Sequence, residues 1–126
     1  MKKFLFLLLF STNVLAAGED WTLGDTAWQS AYTTLLVLDC AQTRYGASHP
    51  EQFQEGNILL GKHPSKGRIN TTCLSVAIGH YAISRWLPND WRRFWQMGTS
   101  WIEAGVVMRN QDEGSGLEFW FKWRFK

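Results

Sequence analysis

Three stretches of helical periodicity make up most of this chain, and each carries one ionisable side chain inside an apolar run: Asp39, His80 and Glu103. A buried charge is costly unless it is paired or put to use, so these three must either find partners or face a site. The stretches themselves are bounded by ordinary helix signals. Thr26-Ala27-Trp28-Gln29 has the form of a capping box, with Asp25 adding negative charge, and Gly46 and the pre-proline His49 end the first helix. A second helix is expected from about Thr71 to Trp86, stopped by Pro88, and a third from Asn89-Asp90 to Arg109 or Asn110. Along the third, Trp91, Phe94, Trp95, Gly98, Ile102 and Gly105 recur at helical spacing, a stripe that fits a core helix and a lipid-facing one equally.

The connection over 46–70 is polar and long for a small domain, the mark of a functional or mobile segment. Its apolar centre, Ile58-Leu59-Leu60, is expected to pack back against the helices. After the turn Glu113-Gly114-Ser115-Gly116 the pattern changes to period two. Leu117, Phe119, Phe121, Trp123 and Phe125 alternate with Glu118, Trp120, Lys122, Arg124 and Lys126. The expected fold is therefore mainly α, a small three-helix arrangement with a long 46–70 loop and a short C-terminal β-like strand over 117–126.

Residues 1–17 read as a cleaved secretory signal: Lys2 and Lys3, an apolar run from Phe4 to Phe10, then small residues at Ala16 and Ala17. The remaining 18–126, about 110 residues, suffice for one small domain and not two. Loss of Lys2 and Lys3 brings the formal charge of +2 close to neutral, so no basic nucleic-acid footprint exists. The load of eight tryptophans is heavy, and Trp concentrates where an apolar surface meets water, as at a membrane interface. The expected location is exported, in the bacterial inner membrane or periplasm. A second helix from Thr71 to Trp86 would be about 24 Å long, short of a ~30 Å hydrocarbon core, while Ala77, Gly79, Gly98 and Gly105 suit close helix contact in lipid. Membrane association is favoured over a plain soluble bundle. Cys40 and Cys73 either pair in an oxidising compartment or serve as small hydrophobes, and no metal-type cysteine spacing exists.

Two groups of residues are candidates for chemistry. Asp39, Gln42 and Thr43 share one face of the first helix. Cys73, Ala77, His80 and Ser84 share a small-residue face of the second, and Glu103 aligns with Gln96 and Thr99 on the third. Brought together, Asp39, His80 and Glu103 could bind a divalent metal or act as an acid–base set. The alternative is a polar cluster that sets helix register, with Arg44, Arg85 or Arg109 as counter-charges. The second group is the loop set Glu55, Asn57, Gly61 and His63, set against a plain hydrogen-bonded turn. A Ser/His/Asp or Cys/His hydrolase is disfavoured, because no serine or cysteine lies in a nucleophile-elbow context. Trp120, Lys122, Trp123, Arg124 and Lys126 form a cationic aromatic tail suited to lipid or a partner.

The order Asp39-x-x-Gln42-Thr43-Arg44, then Glu55-x-Asn57 with Gly61-x-His63-Pro64, then Gly79-His80, resembles a group of small signal-peptide-bearing helical envelope proteins encoded by phages and prophages of Gram-negative bacteria. One departure is Ile58, where the group's pattern has proline. The resemblance implies location and architecture and brings no established activity. The expected function is a non-enzymatic envelope protein contacting membrane lipid or another envelope protein, in lysis support or superinfection exclusion. The alternative is a small envelope enzyme or divalent-metal-binding protein using the Asp/His/Glu cluster; no other cofactor is expected.

Overall fold

Thr22, not Thr26, starts the first helix. Its Oγ1 accepts from the Asp25 backbone N–H at 3.2 Å while Asp25 Oδ2 accepts from the Thr22 N–H at 2.8 Å, a reciprocal capping box one turn earlier than the sequence signal. The helix, α1, runs Leu23–Ala47. The protein is described by a computed structural model over residues 20–54, 56–120 and 124–125, so the expected signal segment lies outside the described residues. α2, Lys66–Trp86, likewise begins earlier than Thr71, because the Ser65 hydroxyl accepts from the Arg68 N–H at 3.2 Å. α3 spans Asn89–Asp112 and closes at Gly114, whose φ of 86° only glycine adopts without strain.

Asp25 meets Arg92 at one end of the bundle, called the upper end here, and Gln42 meets Asn110 at the lower end. α1 and α3 are therefore parallel, and α2 runs antiparallel between the two ends. A disulfide joins Cys40 to Cys73, which decides the alternative that the sequence left open. It ties α1 to α2 at the foot of the 48–65 connection.

The interior is mostly polar. Tyr32, Leu36 and Cys40 form a small apolar cluster, with Cys73 and Ala77 packed against it. Beyond that cluster Ala41, Leu60 and Ile69 are the other buried apolar residues among the described residues, against nine polar ones: Asp25, Gln42, Arg44, His80, Ser84, Arg92, Gln96, Ser100 and Glu118. α3 buries Arg92, Gln96 and Ser100, while Trp91, Phe94, Trp101, Ile102 and Met108 stay exposed. Most of the aromatic stripe of α3 thus faces outward; Trp95 is the exception, half-buried and stacked on the His80 ring at 5.1 Å. Leu74, Ile78, Tyr81 and Ile83 are exposed on α2 in the same way. No helix among the described residues is long and apolar enough to cross a membrane.

The tail does not form one strand. β1, Leu117–Glu118, pairs antiparallel with β2, Arg124–Phe125, with Leu117 opposite Phe125 and Glu118 opposite Arg124. Glu118 turns inward instead of outward, accepting from the Ser48 hydroxyl at 2.6 Å and from Lys66. The paired start of the tail is thereby fastened to the ends of α1 and α2.

Candidate functional site

The upper polar network centres on Arg92 and Asp25. Arg92, fully buried, donates from Nε to the Ser84 carbonyl at 2.7 Å and from Nη1 to Asp25 Oδ2 at 3.0 Å and Asn89 Oδ1 at 3.1 Å. Burial alone would raise the Asp25 pKa. Hydrogen bonds from Thr22 and Arg92 and the guanidinium charge outweigh burial, so it is lowered. Gln96 Nε2 donates to the Asp25 carbonyl at 3.2 Å and to Gln29 Oε1 at 3.4 Å. The buried arginine that pairs with an acid at this end is Arg92, which is not among the three named from sequence; of those, Arg109 lines the lower cleft with Asp39 and Glu103. Arg44 donates to Asn70 and Arg85 lies 4.9 Å from the Trp21 ring.

His80 belongs to the middle of this column and to no reactive group. Gln29 Nε2 lies 3.1 Å from Nδ1 and Thr99 Oγ1 lies 2.8 Å from Nε2. Because the Gln29 amide donates, Nδ1 accepts and Nε2–H donates to Thr99, the neutral tautomer assigned from its partners. Burial lowers its pKa to about 4, and Tyr32 stacks on its ring at 3.5 Å. Both nitrogens are used. His80 therefore does not join Asp39 and Glu103 as a metal or acid–base set, and no His/Cys/Asp/Glu group among the described residues is placed to hold a metal ion.

Asp39 and Glu103 do meet, at the lower end. Burial, the Asp39 charge and a hydrogen bond between the two side chains raise the Glu103 pKa to about 7. Beyond burial, the rise reflects the resistance of two adjacent carboxylates to double ionisation. Glu103 Oε1 is buried without a hydrogen-bond partner. Asn110 Nδ2 orients the other side of the pair, donating to Asp39 Oδ1 at 3.0 Å and to Gln42 Oε1 at 3.1 Å. Gln42 Nε2 in turn donates to the Val107 carbonyl at 3.0 Å. Tyr32, buried and close to both acids, has its pKa pushed up to about 12, by burial first and then by their charges.

These groups border a cleft of about 820 Å³. Asp39, Gln42, Thr43 and Glu103 line it from the helices, and Asn57 and His63 line it from the connection. The two candidate groups, separate in the sequence, thus share one site. Within the loop set, Asn57 Oδ1 accepts from the Leu59 N–H at 2.9 Å and the Asn57 carbonyl accepts from the Gly61 N–H at 3.1 Å. Gly61 has a φ of 79°, so Asn57 and Gly61 build the turn. That turn forms without a proline at position 58. Arg68 fastens it by donating from Nη2 to the Leu59 carbonyl at 2.7 Å. Only Leu60 of the Ile-Leu-Leu centre packs inward, since Ile58 is 93% and Leu59 63% exposed. Glu55, Lys122, Trp123 and Lys126 lie outside the described residues. Arg124 enters through its strand pairing, and Trp120 is exposed with the Arg44 guanidinium 6.0 Å from its ring centre.

Sequence reasoning missed Asn110 in the cleft and the network of Asp25, Gln29, Gln96 and Arg92 above it. Their signal was a second stripe on α3, Arg92, Gln96, Thr99, Glu103 and Asn110, at helical spacing and opposite the aromatic one. Comparison of the chain with protein-family models, curated proteins and solved structures yields no match.

Proposed function

We propose that the chain is an exported envelope protein that works by contact with membrane lipid. The observation that carries this reading is the reversed polarity of α2 and α3, whose inner faces are polar and whose outer faces are apolar. Trp91, Phe94, Trp101 and Ile102 stay exposed to water at a hydration cost, and the edge-on contact of Trp91 with Phe94, ring centres 6.3 Å apart, covers little of it. From Ile69 to Ser84, α2 carries no charged residue, about 24 Å of helix. Arg85, Arg93 and the exposed Trp86 and Trp91 cluster at its upper limit, where an interface accepts cations and indoles. A bundle of this kind would lie along the bilayer surface with its apolar side immersed by roughly 5–10 Å. The resemblance to phage-encoded envelope proteins supports the same setting, and lysis support or exclusion of competing phages are the roles it would serve.

The test is flotation of the oxidised chain, lacking residues 1–17, with vesicles of phosphatidylethanolamine and phosphatidylglycerol. Wild type is expected to float. The triple variant Phe94→Ser, Trp101→Ser, Ile102→Ser is expected to stay at the bottom with its helical circular dichroism intact. A wild type left at the bottom, or a variant that floats equally well, would refute the reading.

A further inference from the structure

The outward faces leave the lower cleft unexplained. Its walls come from α1, from the 48–65 connection and from α3, and its polar groups share one property. They hydrogen-bond in both directions around nearly balanced charge. Asp39, Glu103 and Glu113 stand with Lys62, Arg109 and the imidazole of His63. A strongly anionic or cationic ligand would meet its own sign on one wall. A hydroxyl, which donates and accepts at one atom, suits both walls.

We propose that this cleft is a carbohydrate-binding site that takes a short neutral oligosaccharide. Its volume of about 820 Å³ lies within the range of small-molecule sites. The carboxyl pair is held in place by Asn110, and Asn110 is itself fixed by its second bond to Gln42 Oε1. Such a pre-oriented pair loses little freedom when a sugar hydroxyl arrives. Glu103 lines the cleft, and its buried Oε1 has no hydrogen-bond partner among the described residues. Phe53 and Pro50 supply an apolar surface for the C–H face of a ring.

The same geometry argues for binding over cleavage. Glycoside hydrolysis needs two carboxyl groups about 5 Å or more apart, one on each side of the scissile bond. Asp39 and Glu103 instead hydrogen-bond to each other, so this pair does not flank a scissile bond.

This inference goes beyond lipid contact and fails independently of it, since vesicle flotation does not involve the cleft. The oxidised chain is titrated at pH 7 with tri-N-acetylchitotriose, with maltotriose and, as a charged probe, with pyrophosphate, followed by saturation-transfer and amide NMR. At least one neutral probe is expected to bind with a Kd of about 1 mM or tighter and to shift the side-chain amides of Asn57 and Asn110. Glu103→Leu is expected to weaken binding about tenfold or more. His63→Ala, on an exposed loop residue, is expected to weaken it a few fold and keeps the test valid if Glu103→Leu does not fold. The proposal is overturned if neither sugar binds, if pyrophosphate alone shifts the cleft amides, or if both variants bind as wild type does.

Discussion

The two ends of the bundle solve the problem of a buried carboxylate in opposite ways. At the upper end Asp25 faces Arg92, both buried, with the guanidinium bonded to three further oxygens. At the lower end Asp39 faces another acid, Glu103, beside an open cleft. The opposite charges of Asp25 and Arg92 pair with each other and lock the helices together. Like charges next to open space destabilise the fold, and a protein keeps such an arrangement where a ligand uses it. The contrast separates the part of the polar interior that holds the protein together from the part that is available for binding.

The largest effect expected is at the upper end. Asp25→Ala leaves Arg92 buried and unpaired, and it also removes half of the α1 capping box, so urea unfolding should show a loss of about 3–5 kcal/mol. Asp39→Ala at the lower end should cost well under half of that, because Glu103 is relieved of its like-charged neighbour. Equal losses would break the comparison. Next is the disulfide. Its 33-residue separation implies a loss of about 3–4 kcal/mol for Cys40→Ser with Cys73→Ser. Hydrogen exchange should rise first in the 48–65 connection, which the bridge encloses, and only later around Arg92. Uniform loss of protection would show that the two ends do not act separately.

A smaller effect is read from pH. Glu103, raised from 4.5 to about 7, stabilises the fold fully below pH 4.5, and this contribution is lost as pH rises through 7. His80, lowered from 6.5 to about 4, acts in the other direction, stabilising above pH 6.5 and losing that contribution as pH falls through 4. Between about pH 4.5 and 6.5 the two slopes oppose each other. Glu103→Gln removes one of them, so the variant should gain on wild type by on the order of 1 kcal/mol at pH 8, below the full value of the shift because solvent at the cleft screens it. It should also unfold more steeply on acidification than wild type does. A pH profile parallel to wild type would remove the strained acid pair from the account. The smallest effect is expected outside both networks. Trp101→Ser, on an exposed ring, should change stability by no more than about 0.5 kcal/mol, where a core tryptophan would cost several. A large loss would mean that the outward face of α3 is packed after all.

Much of the architecture was legible because it depends on local chemistry. Pro88 must end one helix, Gly114 must close another, and an apolar run punctuated by one ionisable residue must place that residue at an interior or a site. The alternation after Leu117 correctly marked β structure, but it could not show that Leu117 and Glu118 pair with Arg124 and Phe125, since hydropathy does not encode register. The N-terminal cap was misread by one turn because Thr22 and Thr26 both precede acceptable partners. Only the backbone geometry chooses between them.

The sequence by itself determined the helix count, the long polar connection and the positions at which charge interrupts apolar segments, because propensity, capping and periodicity act within a few residues. The tertiary structure alone decided which stripe of α3 faces inward. Two stripes at the same spacing, one aromatic and one polar, are equivalent until Asp25 and Gln29 of α1 supply partners for Arg92 and Gln96. It likewise parted His80 from Asp39 and Glu103 and brought Asn57 and His63 to those acids. Each of these outcomes depends on hydrogen bonds between residues far apart in the chain, and their energies are set by the environment that folding creates.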